Sequence, residues 1–354
     1  MCVDVDRGAG DLKAVRAVSL ISGGLDGLLA TRLVMDMGID VLALNFVTPF
    51  FGMGPGVGYD EYAVAFKERM AELYGINAEV IDISEKYIEM VGDPPHGYGR
   101  DFNPCLDCKI MMVSEAKRYV DDTAEGGEAR LVVTGEVLGQ RPMSQRRDTL
   151  RIVERESGCE GILLRPLSAQ LLEPTLLEEK GYVDRESLLG FSGRGRRPQM
   201  ELAGRFGIEK YESPAGGCCL TDPIISKRIR RLYGTTGTPA SEDIYMMRVG
   251  RPFSLGGGVI LTVGRDDEEN QVIERMGGGG SLFVKLVDVP GPLGLMRGDI
   301  KSGHISLAIS ILARYSKARD EQSVRGGVGT TLDNIEGEIE VRPIDAEGIE
   351  ALRF

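Results

Sequence analysis

At 354 residues, with 42% hydrophobic and 27% charged side chains, the chain has room for two or three packed domains and the composition of an ordinary globular protein. No apolar run reaches the length of a membrane span, and the opening Met1-Cys2-Val3-Asp4-Val5-Asp6 lacks the basic head and apolar body of a secretory signal. A cytoplasmic location without a membrane partner is therefore expected. The net charge of −12 argues against a uniformly basic nucleic-acid binder but leaves segregated basic clusters open.

The first element predicted is a central strand over Val15 to Ile21, β-branched and apolar, followed by Leu28, Leu29, Leu33, Val34 and Met37 at helical spacing. Between them, Ser22-Gly23-Gly24-Leu25-Asp26 forms a strand-to-helix turn. Two glycines let the backbone approach an anion closely, and the helix start adds unpaired amides and the positive end of its dipole. Ser22 can donate to a phosphate oxygen and Asp26 can reach a magnesium ion. No lysine follows the glycines, which excludes the lysine-bearing Walker loop.

Gly38 then ends the helix, and Val41 to Phe46 reads as a second buried strand. Gly52 to Gly58, with Pro55, has the composition of a lid. Asp60 is placed to cap a helix running to Tyr74, with Ala63, Phe66, Met70 and Leu73 on one face and Gly75 as its stop. A strand follows at Ala78 to Ile83. Leu131-Val132-Val133-Thr134 and Ile162-Leu163-Leu164 supply two more. Strands alternating with helices predict an α/β fold with a doubly wound parallel sheet, whose ligand crevice lies at the carboxyl ends of the strands. Ser22 to Asp26 and Thr134-Gly135-Glu136 both fall there.

Asn103-Pro104-Cys105-Leu106-Asp107-Cys108 precedes a helix expected over Lys109 to Val120, and the three-residue spacing turns both thiols toward one side. A helix amino terminus is expected to lower their pKa. A helical stretch from about Leu171 to Phe206 leads to Ser213-Pro214-Ala215-Gly216-Gly217-Cys218-Cys219, and Gly234 to Thr238 reads as a linker. Adjacent Cys218 and Cys219 cannot easily aim both sulfurs at one tetrahedral centre, so a three-thiol set of Cys105, Cys108 and Cys218 is preferred. Such a set suits either an iron-sulfur cluster with one open iron or a persulfide and disulfide relay. Cys2 and Cys159 are read as incidental. So are His96 and His304, the only histidines.

Beyond the linker the texture changes to short strands with Gly256-Gly257-Gly258 and Gly277 to Gly280 between them, and a helix over Ile305 to Ala318. The division expected is 1–170 for nucleotide binding, 171–235 for the helical cysteine segment, and 239–354 for a smaller α+β domain partly ordered after Arg325. Three basic clusters, Arg141/Arg146/Arg147/Arg151, Arg194/Arg196/Arg197 and Lys227/Arg228/Arg230/Arg231, could together line one RNA-binding face.

The Ser22 to Asp26 run resembles the SGGxDS loop of the PP-loop ATP pyrophosphatases, with Gly27 in place of the usual serine. Thr134-Gly135-Glu136-Val137-Leu138-Gly139-Gln140, with Ser144-Gln145 and Arg165-Pro166-Leu167, resembles the adenylation domain of ThiI-type tRNA thiouridine synthases. The Asn-Pro-Cys-x-x-Cys run with its later partner resembles the MnmA thiouridylases, and Cys105 stands where many of those have aspartate. This likeness spans about Arg16 to Asp222. It implies ATP at Ser22, Gly23, Gly24, Asp26, Thr134, Gly135 and Gln140, Mg2+ near Asp26, and Asp26, Cys108 and Cys218 as the catalytic set. It also implies a 4Fe-4S cluster on Cys105, Cys108 and Cys218, tRNA as substrate, and sulfide or a persulfide as sulfur donor. Neither a THUMP segment before Ser22 nor a rhodanese domain is expected.

Gly250-Arg251-Pro252-Phe253, Val263-Gly264-Arg265 with Glu269-Asn270, and Asp288-Val289-Pro290-Gly291 resemble the NFACT-R RNA-binding domain. The reading that results is an ATP-dependent tRNA sulfurtransferase. Its alternatives are an RNA- or ribosome-binding protein with a degenerate PP-loop, or an ATP pyrophosphatase acting on a small molecule.

Overall fold

The fold is built on two sheets of different character. In the computed structural model, which describes residues 15–124, 128–212 and 217–354, the first sheet is parallel and apolar on both faces. Its strands are β1 (Val15–Leu20), β2 (Val41–Val47), β3 (Ala78–Asp82), β4 (Ala129–Thr134) and β5 (Leu163–Leu164). Their spatial order is β3-β2-β1-β4-β5, so the direction of winding reverses at β1. In open sheets of this kind the ligand crevice lies at such a reversal, here the carboxyl end of β1. The expected doubly wound sheet is present. The expectations placed on Cys2 and on residues 213–216 lie outside the described residues.

Helices cover both faces, as burial of a parallel sheet requires. On one face, Leu28 and Leu29 of α1 (Leu25–Met35) and Phe66 and Met70 of α2 (Tyr59–Tyr74) pack against Val15, Ala17 and Val133. The other carries α3 (Ser84–Gly92), α4 (Cys105–Thr123) and α5 (Arg147–Glu156), through Tyr87, Val113, Ala116 and Val153 against Val18 and Val132. Gly75 ends α2 in the left-handed region (φ 63°), as predicted. Asp60 does not cap it: Gly58 holds the cap position, and Leu73 is exposed because the buried stripe is only Phe66 and Met70 wide.

Residues 171–206 form no continuous helix. Proline and glycine break the stretch into turns, α6 (Leu176–Glu179) and α7 (Arg197–Arg205), and α7 joins the α1 face through Leu202 and Ala203. The linker expected at Gly234 to Thr238 is instead the last turn of α8 (Pro223–Thr236), which ends on Gly237 at φ 74°. α9 (Ser241–Arg248) follows it and shares a core with the first sheet through Ile244, Met246 and Met247.

The second sheet is antiparallel. It contains β6 (Arg251–Gly256), β7 (Val259–Val263), β8 (Leu282–Leu286), β9 (Gly294–Arg297), β10 (Val324–Gly329) and β11 (Glu336–Val341), in the order β11-β10-β8-β9-β7-β6. α10 (Asp267–Arg275) covers one face through Ile273, while α11 (Ser302–Arg314) and α12 (Ala346–Leu352) cover the other through Ile309, Leu312 and Ile349. The tail after Arg325 is ordered rather than loose, because β10 pairs with β8 and β11 completes the edge.

The start of the stretch from Gly52 to Gly58 is tied down. Arg248 of α9 donates to the carbonyls of Pro49 and Met53 at 2.6 and 3.0 Å. Gly52, at φ 84°, leaves a Cβ only 2.8 Å from Val47, so the loop is packed down onto its own strand.

Candidate functional site

The loop after β1 has the features of an anion cradle. Gly23 takes φ 84°, and Gly24 caps α1 by backbone alone, with no side-chain oxygen on the amides of the first helical turn. Ser22 is exposed at the mouth. Asp26 sits in that first turn. One of its oxygens, Oδ2, accepts from Gln140 Nε2 at 2.7 Å, while Oδ1 is buried without a hydrogen-bond partner among the described residues. A buried carboxylate oxygen without a hydrogen bond, beside an open amide cradle, fits one position on a divalent cation that neutralises phosphate.

The turn after β4 closes on this loop from the neighbouring strand. A Cβ on Gly135 would fall 2.4 Å from the carbonyl carbon of Asp26 and 2.5 Å from the amide of Gly27. Glycine at 135 is thus what lets the two loops meet. Gly135→Ala is expected to cost about 1–3 kcal/mol of stability, as overpacking does in a close-packed interior; chemical denaturation reads it, and a wild-type value would show that the crossing has slack. The Thr134 hydroxyl donates to Glu136 Oε2 at 3.3 Å, in a buried group that Arg165 completes at 3.1 Å. Gly27 lies beneath the loop, its Cβ direction 3.3 Å from the carbonyl oxygen of Leu20, and its own carbonyl accepts from Thr31 Oγ1 at 2.8 Å.

Two further groups join this network, one expected on a basic surface cluster and one not expected at all: Arg196 reaches Asp26 itself, and Gln199 reaches Gln140. The Arg196 guanidinium stands 3.7 Å from Asp26 Oδ1, and buried Gln199 donates to Gln140 Oε1 at 3.0 Å. Both come from the segment entering α7, which is pinned to the β4 turn by the Gly193 amide on the Leu138 carbonyl at 2.8 Å. On the far side, Glu212 lies along Gly23, and its carboxylate accepts from Arg69 at 2.9 Å. The spacing Arg-x-x-Gln at a helix entry was the available signal for Arg196 and Gln199.

The cysteines gather on the α3/α4 face. Tyr87 is fully buried beneath Phe50 and Phe51, with ring centroids 5.3 and 5.1 Å away, and its hydroxyl favours the thiolate form of Cys108. Cys105 and Cys218 both lie within electrostatic reach of Cys108. Cys219 is held by its amide on the Phe50 carbonyl at 2.8 Å.

The helix start does not lower these pKa values. Burial outweighs it: Cys105, Cys108 and Cys218 are all raised above the usual 9.0, and Cys219 is pushed up to about 11, although Lys109 and Arg141 pull Cys105 and Cys108 the other way. Among the described residues no three His, Cys, Asp or Glu side chains stand where they could hold one single metal ion. Arg141 follows Gln140 in the chain and acts electrostatically on Cys105 and Cys108, more weakly than Lys109 does.

His96 is structural. Its Nδ1 is 2.8 Å from Asp107, buried between the two cysteines of the motif, and its Nε2 is 3.2 Å from Glu156. Those carboxylates raise its pKa and fix the first turn of α4 against α5. Buried Cys159 packs in the same core.

A glycine cradle at the switch point of a β3-β2-β1-β4-β5 parallel sheet, with an acidic residue in the first turn of the helix, is the α/β arrangement expected of a PP-loop fold. Comparison with known proteins agrees. Residues 13–170 match the family described as thiamine biosynthesis protein (ThiI), and residues 250–353 match the NFACT protein RNA binding domain. These are the two families that the motifs resemble, so a ThiI-type domain is joined here to an NFACT-R-type domain. A probable tRNA sulfurtransferase from Thermococcus kodakarensis is 28% identical over 187 residues, covering 53% of this chain and 44% of that protein. The match therefore spans less than half of the relative's length.

Among solved structures, the C-terminal part of the fibronectin/fibrinogen-binding protein from Streptococcus suis is 12% identical, over 76% of this chain and 97% of that one, with a TM-score of 0.26. NMN synthetase from Francisella tularensis is 14% identical over 57% and 90%, also at 0.26.

Proposed function

We propose that the protein is an ATP-dependent tRNA sulfurtransferase that adenylates a uridine and replaces the activated oxygen with sulfur. The observation that carries this is the joining of two chemistries by consecutive residues: Gln140 bonds the cradle's Asp26, and Arg141 acts on the thiols of Cys105 and Cys108. The sequence likeness to a probable tRNA sulfurtransferase and the NFACT-R match support tRNA as the substrate.

ATP lies with its phosphates over Ser22, Gly23 and Gly24. The magnesium ion that Asp26 would help to hold neutralises the phosphates when bound. The uridine carbonyl oxygen attacks the α-phosphate, pyrophosphate leaves, and the N3 proton is lost as the adenylated base forms. In this reading sulfur is carried as a persulfide on one of the pair Cys108 and Cys218. Its terminal sulfur displaces AMP from the base, and the second thiolate attacks the cysteine sulfur, forming a Cys108–Cys218 disulfide and freeing the thiouridine. An external dithiol then reduces the disulfide.

Purified protein is expected to release pyrophosphate from ATP in a tRNA-dependent manner, and bulk tRNA from a deletion strain is expected to lack one thiouridine. Unchanged thionucleosides would overturn the tRNA reading. A second reading, an RNA-binding protein without turnover, is favoured by the Glu212 carboxylate lying along Gly23 at the cradle; pyrophosphate release excludes it.

A further inference from the structure

A cavity in the C-terminal domain takes no part in that reaction. It measures about 620 Å³, within the range of roughly 300–1,000 Å³ typical of ligand sites. Three stretches that carry the NFACT-R likeness converge on it from distant parts of the sequence: Arg251, then Gly264-Arg265 with Asn270, then Pro290-Gly291. The wall is built to shape. Asn270 Oδ1 accepts from the Leu293 amide at 3.0 Å, and a Cβ on Gly264 would fall 2.1 Å from the same oxygen, so this turn closes only with glycine.

Arg251 donates to the Gly264 carbonyl at 3.1 Å, and its guanidinium lies 4.5 Å above the Tyr315 ring. The Tyr315 hydroxyl in turn accepts from Arg353 at 2.8 Å. A flat cation is thereby held on an aromatic ring inside a cavity, the arrangement on which nucleobases stack. Among the described residues neither Arg251 nor Lys317 has a carboxylate partner, and Arg319 has only the exposed Asp320 at 3.3 Å. The wall also carries Asp266, which caps α10, and Asp267. So mixed a lining suits one phosphate rather than a multiply charged duplex backbone.

We propose that this cavity receives one unpaired nucleotide of the RNA substrate, its base on the Arg251 plane and its phosphate at Lys317 and Arg319. Arg265, at the same cavity, lies within electrostatic reach of Arg228 on α8, the helix that begins just after Cys218 and Cys219. The inference rests on RNA being the substrate.

Fluorescence anisotropy of the full chain with a labelled single-stranded oligoribonucleotide tests it. Arg251→Ala and Arg251→Lys are both expected to weaken binding about tenfold, the loss of one stacked base, because lysine keeps the charge but not the plane. Lys317→Ala, at an exposed position, is expected to weaken binding and flatten its salt dependence. Wild-type affinity in Arg251→Lys and Lys317→Ala would overturn the cavity's role while leaving RNA as substrate. Failure of the unaltered protein to bind RNA would overturn both. Displacement of the strand by uridine monophosphate at equal concentration would assign the cavity to a free nucleotide and overturn the proposal.

Discussion

Asp26→Asn is expected to lower ATP-dependent pyrophosphate release by at least about a hundredfold, the scale on which single preorganised electrostatic groups act in water-excluded sites. The substitution keeps the shape of the side chain and leaves an oxygen to accept from Gln140, whose amide stands 2.7 Å from Oδ2. It removes the charge from Oδ1, the buried oxygen that has no hydrogen-bond partner among the described residues. Arg196, 3.7 Å away, then faces a neutral amide and draws the ATP phosphates without a metal between them. Gln140→Ala is expected to lose less, because it frees the carboxylate to turn rather than removing it. A release assay with radiolabelled ATP and bulk tRNA measures both. Retention of most of the wild-type rate in Asp26→Asn would show that the cradle does not work through its acidic residue.

How far this site was legible follows from how local each part is. The strand, glycine turn and helix around Ser22 to Asp26 are contiguous, so period and turn chemistry suffice to place them. The Gln140 contact spans 114 residues and became visible only through the resemblance of the Thr134 to Gln140 run. Arg196 and Gln199 lay hidden in a stretch rich in Arg, Leu and Glu that read as helix; Gly193, Gly195 and Pro198 in fact bend it back onto the β4 turn. Gly234 misled in the opposite sense. Glycine in an exposed helix end costs only about 1 kcal/mol, and the packing of Ile229 and Leu232 carries α8 through it.

The same division applies to the cysteines. That Cys105 and Cys108 share a turn follows from their spacing, but the direction of their pKa shifts does not. A helix start favours thiolate by a partial charge that acts over one turn, whereas the aromatic wall of Phe50, Phe51 and Tyr87 removes water from the whole cluster. Only the tertiary fold brings that wall to α4. Burial wins, and the thiols stay protonated at neutral pH.

Sulfur transfer and adenylation should therefore separate by mutation and by pH. Cys218→Ser and Cys108→Ser are each expected to cut thiouridine formation by more than about a hundredfold, since an alcohol neither carries a persulfide nor resolves one, while tRNA-dependent pyrophosphate release continues. Because burial raises the thiol pKa values above 9.0, the thiolate fraction grows throughout the neutral and mildly alkaline range, and the rate of sulfur transfer is expected to climb with pH across it. Adenylation should not follow that climb. Tyr87→Phe sharpens the test: loss of the hydroxyl that stabilises the Cys108 thiolate pushes that thiol higher still and moves the profile to more alkaline pH. Single-turnover thiolation of pre-adenylated tRNA, measured by mass spectrometry of the nucleosides, follows each variant. Equal thiolation in Cys218→Ser and the wild type would remove Cys218 from the relay, and a pH-independent rate would show that the persulfide reaches the base without passing through these buried thiols.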